Sequence, residues 1–231
     1  MKKLFLLFLL PLAATTLRAQ TLTDNGSIQY KIDITGVDDP QVTEMFKDAK
    51  MEIGFLNSRY RMDMSMPMMR TRSFSKGDSS LVLMEVMGNK MKMTVPKEEV
   101  NSRKLNENEY DVTETKDTKT IAGYKARKYN VKTKSGETYT VYATDALPGK
   151  LAEYSPYTKI KGAPLEYEMS QGPYKMKVTA QAVKMGGETE AAYQYDETGY
   201  TRMTMDQMKN MFGGGQKQDH GHDHSDPNHK H

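Results

Sequence analysis

The stretch Met51-Glu52-Ile53-Gly54-Phe55-Leu56-Asn57-Ser58-Arg59-Tyr60-Arg61-Met62-Asp63-Met64 decides the fold. Folded back at Asn57-Ser58, it sets Leu56 against Arg59, Phe55 against Tyr60, Ile53 against Met62 and Met51 against Met64. The apolar members of that set share one face, while Glu52, Arg61 and Asp63 share the other. Strand side chains alternate, so a slip of one residue would turn the whole apolar set to the charged face. Asn-Ser is a weaker turn signal than Asn-Gly, and Glu52 opposite Asp63 is mildly unfavourable. The segregation of the two faces nevertheless specifies an antiparallel hairpin.

A second stretch behaves alike. With Gly88-Asn89 as the turn, Met87 faces Lys90, Val86 pairs with Met91, Met84 with Met93 and Val82 with Val95. Glu85 then lies opposite Lys92, a favourable cross-strand charge pair. Methionines point inward and charges outward in both hairpins. Arg70 to Lys76, between them, reads as a polar edge strand ending at Lys76-Gly77-Asp78.

Outward from this region, Ile28, Tyr30, Ile32 and Ile34 alternate with polar residues over 26–36, the mark of a half-buried strand. Asp39 can cap a helix that opens at Pro40, and Val42, Met45, Phe46 and Ala49 carry its apolar stripe to about Lys50. Residues 96–108 read as a short helix or loop. Strands are expected over 109–115, 120–133 and 137–143, with a turn at Lys134-Ser135-Gly136 and an end at Pro148-Gly149. Leu165, Tyr167 and Met169 lead to a turn at Gln171-Gly172-Pro173, and Tyr174, Met176, Val178, Ala180 and Ala182 return; 190–195 would be a last strand. Thr204 opens a helix with Gln207 as its capping-box partner. Met205, Met208, Met211 and Phe212 form its stripe, and Gly213-Gly214-Gly215 stops it.

The chain opens on Met1-Lys2-Lys3, a short apolar run and Leu17-Arg18-Ala19, the pattern of a cleaved secretory leader over residues 1–19. The apolar run is far shorter than the ~20 residues of a membrane span. No cysteine follows for lipid attachment, so the expected destination is the periplasm or outside the cell. The leader holds Lys2, Lys3 and Arg18, so the 33 Lys and Arg fall to 30, against 30 Asp and Glu. A neutral mature chain lacks the clustered basic excess of a nucleic-acid binder. With 0 Cys in a disulfide-permissive compartment, stability must come from pairing and burial. Residues 20–212 are long enough for a single β-rich domain, and 213–231 read as a disordered Gly/His-rich tail.

All 5 histidines lie in that tail: His220, His222, His224, His229 and His231. The body therefore holds neither His nor Cys, which removes Ser-His-Asp and Cys-His machinery unless the tail folds back. There is no phosphate-binding glycine loop and no His-Glu-x-x-His pair. No catalytic residue is assigned, and the protein is expected not to be an enzyme. The tail imidazoles suit zinc or copper, with affinity falling on acidification as they gain protons.

The methionine face bears three readings. Thioethers fill irregular cores; they can also line a cavity for a lipid or other apolar small molecule; and sulfur is a soft ligand for copper(I). The ligand-binding face would be Met51, Ile53, Phe55, Tyr60, Met62, Met64, Met84, Met91 and Met93. Met66, Met68 and Met69, around Pro67, fall outside the hairpin geometry and are the copper candidates.

The segment Lys119-Thr120-Ile121-Ala122-Gly123-Tyr124-Lys125, with the return Thr140-Val141-Tyr142-Ala143-Thr144-Asp145-Ala146-Leu147-Pro148, resembles the secreted domain of unknown function 4412 family. Gly199-Tyr200 ahead of a methionine-bearing helix fits the same pattern. The resemblance implies an outline similar to the outer-membrane lipoprotein-carrier fold, a curved antiparallel half-barrel closed by a helix. It implies no catalytic residues, and Ala126, where related sequences often hold cysteine, argues against a redox role. The expected fold is thus mainly β (α+β), with a short N-terminal and a C-terminal helix. The expected function is non-enzymatic binding of a lipid or acyl chain on the methionine face, the alternative being copper or zinc handling.

Overall fold

A computed structural model describes residues 25–102, 107–148, 151, 157–171 and 174–212. The leader, the glycine stop, the histidine tail and the Gly172-Pro173 turn lie outside the described residues. The fold is mainly β: one open sheet of twelve strands in half-barrel form, with three short helices.

Two meanders meet at the middle of the sheet. The first comprises β1 (Asn25–Thr35), β2 (Lys50–Leu56), β3 (Arg59–Met66), β4 (Met69–Lys76), β5 (Ser79–Val86) and β6 (Asn89–Pro96). The second comprises β7 (Tyr110–Ile121), β8 (Tyr124–Thr133), β9 (Thr138–Thr144), β10 (Ala163–Gln171) and β11 (Tyr174–Met185). First and last strands of this pair of meanders, β1 and β11, join them antiparallel, with a bulge at Gln29/Tyr30. At the far edge, β12 (Thr201–Arg202) runs parallel to β6.

The first hairpin has the expected register, with Phe55 opposite Tyr60, Ile53 opposite Met62 and Met51 opposite Met64. The hairpin of β5 and β6 does not. Its turn is Met87-Gly88, so Met84 pairs with Met91, Val82 with Met93 and Glu85 with Lys90. Met87 and Gly88 hold φ of 49° and 84°, the doubly positive pair of a type I′ turn, which puts glycine second. The shift moves each partner by two positions, so the methionines keep their face. The same chemistry explains a missed turn at Ala122-Gly123, φ 48° and 85°, which divides the expected strand 120–133 and makes β7 continuous through a bulge at residues 115–117.

Other expectations are corrected. β4 is no edge: it pairs with β3 on one side and β5 on the other. Together the turns Asn57-Ser58, Pro67-Met68, Gly77-Asp78 and Met87-Gly88 recur every ten residues around eight-residue strands. The first helix, α1 (Pro40–Met45), is capped by Asp39, whose Oδ1 accepts from Gln41 N at 2.8 Å. It ends before Lys50 because Asp48 turns the chain at φ 56° and Ala49 O accepts from Ile32 N at 3.0 Å. α2 (Lys97–Ser102) follows β6 directly. Residues 190–193 form a 3-10 turn rather than a strand. At α3 (Met205–Phe212) the expected capping box is present: Thr204 N donates to Gln207 Oε1 at 2.8 Å and Gln207 N donates to Thr204 Oγ1 at 3.2 Å.

Candidate functional site

Cross-strand rows define the face. One runs Met51, Met64, Thr71, Met84, Met91; the next runs Ile53, Met62, Ser73, Val82, Met93. All nine sequence-assigned apolar residues share this face, yet all but Tyr60 divide between two clusters. Met51, Ile53 and Phe55 belong to the main core, with half-buried Met62, Met64 and Met66 packed against it. Met84, Met91 and Met93 form a separate cluster with Val95 and Met203, covered by Met205 and Met208 of α3. Tyr60 is half-buried and reaches across β4, its hydroxyl 2.9 Å from Ser80 Oγ.

What separates the clusters is β4. On this face it presents Thr71, Ser73 and Ser75 between longer neighbours on β3 and β5, and Thr71 and Ser73 are only 8% and 6% exposed. A row of small hydroxyl side chains therefore runs between two methionine banks. Thr71 and Ser73 were missed in the sequence because β4 read as a solvated edge. Their alternation with Arg70 and Arg72 was the available signal, since inward small residues repeat at period two.

The opposite face is not simply charged. Phe74, Leu81 and Leu83 form a third cluster beneath Tyr195 and Tyr200. The chain from 193 to 208 therefore crosses the outer face, pairs with β6 as β12, and returns over the methionine face as α3. Nearby, Arg61 lies over Gly54, where a Cβ would stand 2.6 Å from Glu188 Oε2 and 2.8 Å from Arg61 Nε. Arg61 donates to Glu188 at 2.9 and 2.8 Å and also to Glu52. Burial works against the Arg61 charge, but these carboxylates outweigh it and hold its pKa above the ordinary value. For Glu52, burial pushes up, and hydrogen bonds from Arg61 and Gln29 outweigh it and hold the carboxyl below its usual range.

A cleft of about 630 Å³ opens beside this cluster, lined by Gln29, Glu52, Arg61, Asp63 and Arg70 among others. Part of its charge is matched within it, Arg61 with Glu52 and Glu188, Arg70 with Asp63. The row of small side chains between the methionine banks is the apolar counterpart of this polar cleft.

The copper candidates sit at one corner. Met66 pairs with Met69, and Pro67-Met68 is the turn between them. The histidines at 220–231 lie outside the described residues. Among the described residues no group of three or more His, Cys, Asp or Glu is disposed to hold a metal, and no helix is long and apolar enough to cross a membrane.

No protein-family model matches the sequence, and no curated protein does either, so the resemblance to the domain of unknown function 4412 family rests on its motifs alone. Solved structures show partial likeness. PNGF-II aligns with a TM-score of 0.45 at 15% identity, over 81% of this chain and 32% of that one, so this chain spans about a third of PNGF-II. MucB aligns at 0.38 and 10% identity over 77% and 60% of the two chains. LprF from Mycobacterium bovis aligns at 0.35 and 11% identity over 71% and 88%. None of these three reaches a TM-score of one half.

Proposed function

We propose that this is a non-enzymatic envelope protein that holds an acyl chain or similar apolar ligand in a channel that opens along β4, between the two methionine banks. The observation that carries the reading is the contrast of side-chain size on one sheet face. Small Thr71 and Ser73 lie between unbranched Met62 and Met64 on one side and Met84 and Val82 on the other. The three thioethers change rotamer at little cost and repack around a guest, and Val82 is the one stiff side chain among these neighbours. The covering helix α3 is short, and its described apolar contacts come from Met205 and Met208. That arrangement suits a cover that yields. The histidine- and cysteine-free body supports a binding role over a catalytic one.

The test fills the channel. Ser73→Leu puts a branched side chain where the ligand would lie. A fluorescent fatty acid should bind the full chain and lose about tenfold or more in affinity to the variant, the cost of losing roughly 1.4 kcal/mol of contact. A circular-dichroism melt reports whether the variant stays folded. Equal probe binding by the two folded proteins would discard this channel, and no binding by either would discard the apolar-ligand reading.

A further inference from the structure

We infer that Met68 and Met87 form a two-thioether site for a soft monovalent cation, copper(I), at the corner where the β3–β4 and β5–β6 turns meet. The proposal is independent of the channel reading, and it replaces a candidate set drawn from local spacing with one drawn from pairing.

The first observation is exposure. The exposed large hydrophobic side chains of the described residues are Met45, Met68 and Met87, at 51%, 50% and 74%. All three are methionines. Since Lys50 pairs with Ser65 and Met69 with both Met66 and Val86, the connections that hold them lie at the same end of the sheet. Met45 sits on α1, which leads into β2, whereas Met68 and Met87 sit in tight turns.

The second is backbone strain. Met87 occupies φ of 49°, a conformation that costs an L residue roughly 1–2 kcal/mol and that glycine or asparagine accepts readily. Folding gains nothing from methionine there: its side chain buries little and its backbone is disfavoured. A residue that both hydrophobicity and turn chemistry would replace points to a use for the side chain.

The third is proximity. Met87 N donates to Met68 O at 3.1 Å, which continues the β4–β5 ladder one step beyond Met69 and Val86. The two turns are thus in direct backbone contact, and their long, flexible thioether side chains can converge on one ion. Met66 and Met69 form the adjoining cross-strand pair.

Donor chemistry selects the ion. The carboxylates of the two hairpins' own strands are engaged: Asp63 accepts from Arg70 at 3.1 and 2.5 Å, and Glu85 accepts from the Tyr200 hydroxyl. Neutral sulfur is what remains, and thioethers favour copper(I) over zinc, calcium or magnesium.

The experiment uses the full chain with methionine methyl groups labelled with carbon-13. Silver(I), a redox-inert stand-in, should shift the Met68 and Met87 methyl resonances, assigned by single leucine substitutions. Competition with bicinchoninate under anaerobic conditions counts bound copper(I). Met68→Leu/Met87→Leu keeps volume and apolarity, so its melting temperature should hold while the chain loses one bound copper(I). Unshifted resonances, or equal copper(I) counts in the full chain and the double variant, would overturn the site. Resonances that broaden with phosphatidylethanolamine–phosphatidylglycerol vesicles but not with silver(I), equally in single leucine variants, would overturn it in favour of lipid contact.

Discussion

The two meanders solve one packing problem with different side chains. In the β7–β11 half the large core residues are tyrosines with fixed partners. Tyr157 is 1% exposed and donates to Glu168 O; Tyr110 lies 3.0 Å from Thr158 Oγ1; and Tyr139 lies 2.8 Å from Ser170 Oγ. The rings of Tyr110 and Tyr157 meet edge-on at 5.9 Å and 73°, and that of Tyr139 meets Tyr157 tilted at 6.3 Å and 40°. Leu147, Leu151 and Ile160, from the connection between β9 and β10, belong to the same core. In the β2–β6 half the same depth is filled by thioethers, which have no strong donor to anchor. A buried hydroxyl with one partner fixes a ring, because leaving it unpaired costs about 1–3 kcal/mol. A methionine has no such penalty and tolerates alternative rotamers. One half is built to hold its shape, and the other is able to change it.

Four measurements break or sharpen that contrast. Tyr157→Ala should have the largest effect, about 3–5 kcal/mol in denaturant unfolding, since an aromatic ring and its hydrogen bond are lost together. A loss below about 2 kcal/mol would mean that the tyrosine half is as yielding as the other. Within the methionine half, Met93→Ala should cost about 2–5 kcal/mol beneath α3, and half-exposed Met64→Ala should cost about 1 kcal/mol or less on area grounds. Equal costs would identify β3 as solid core and weaken the case for a channel.

The third measurement is alkaline titration. Burial raises the pKa of Tyr157 and Tyr167, so these groups stay protonated when folded and ionise when unfolded above about pH 10. Stability from them is complete below that pH and is lost as pH rises, by about 1.4 kcal/mol per unit for each such group. Tyr167→Phe should flatten the fall, and hydrogen exchange should place the earliest opening in β8–β10. Opening that begins in β3–β6 would mean that ionisation of Tyr157 and Tyr167 is not what loosens the fold at alkaline pH.

The smallest effect is a gain. Met87→Gly relieves the positive φ and should stabilise by roughly 0.5–1 kcal/mol, read as a raised urea midpoint. A loss instead would mean that the Met87 side chain contributes to folding, and that its exposure is no sign of a separate use.

Much of this was legible in the sequence where both members of a pattern lie close together. The Asn57-Ser58 hairpin, the Asp39 cap and the Thr204–Gln207 capping box are local, and each stands as expected. The failures share a cause. At Met87-Gly88 and Ala122-Gly123 a residue other than asparagine or aspartate takes the first positive-φ position, so the turn chemistry gave no warning. Arg70 to Lys76 read as an edge because its polarity was taken for solvent exposure. It is the centre of the β2–β6 region, with small hydroxyls facing inward.

By itself the sequence determined a β-rich body, the alternation that puts methionine on one face, and a chemistry without histidine or cysteine in the body. These follow from residue type and a period of two. Only the tertiary structure decided that the methionine face is two banks rather than one surface, that α3 covers one of them, and that Met68 meets Met87. Each depends on contacts between residues far apart in the chain, such as β6 with β12 and the turn at 67–68 with that at 87–88. Periodicity assigns a side chain to a face. Which strand lies beside it, and what covers it, is settled by how the whole sheet is ordered.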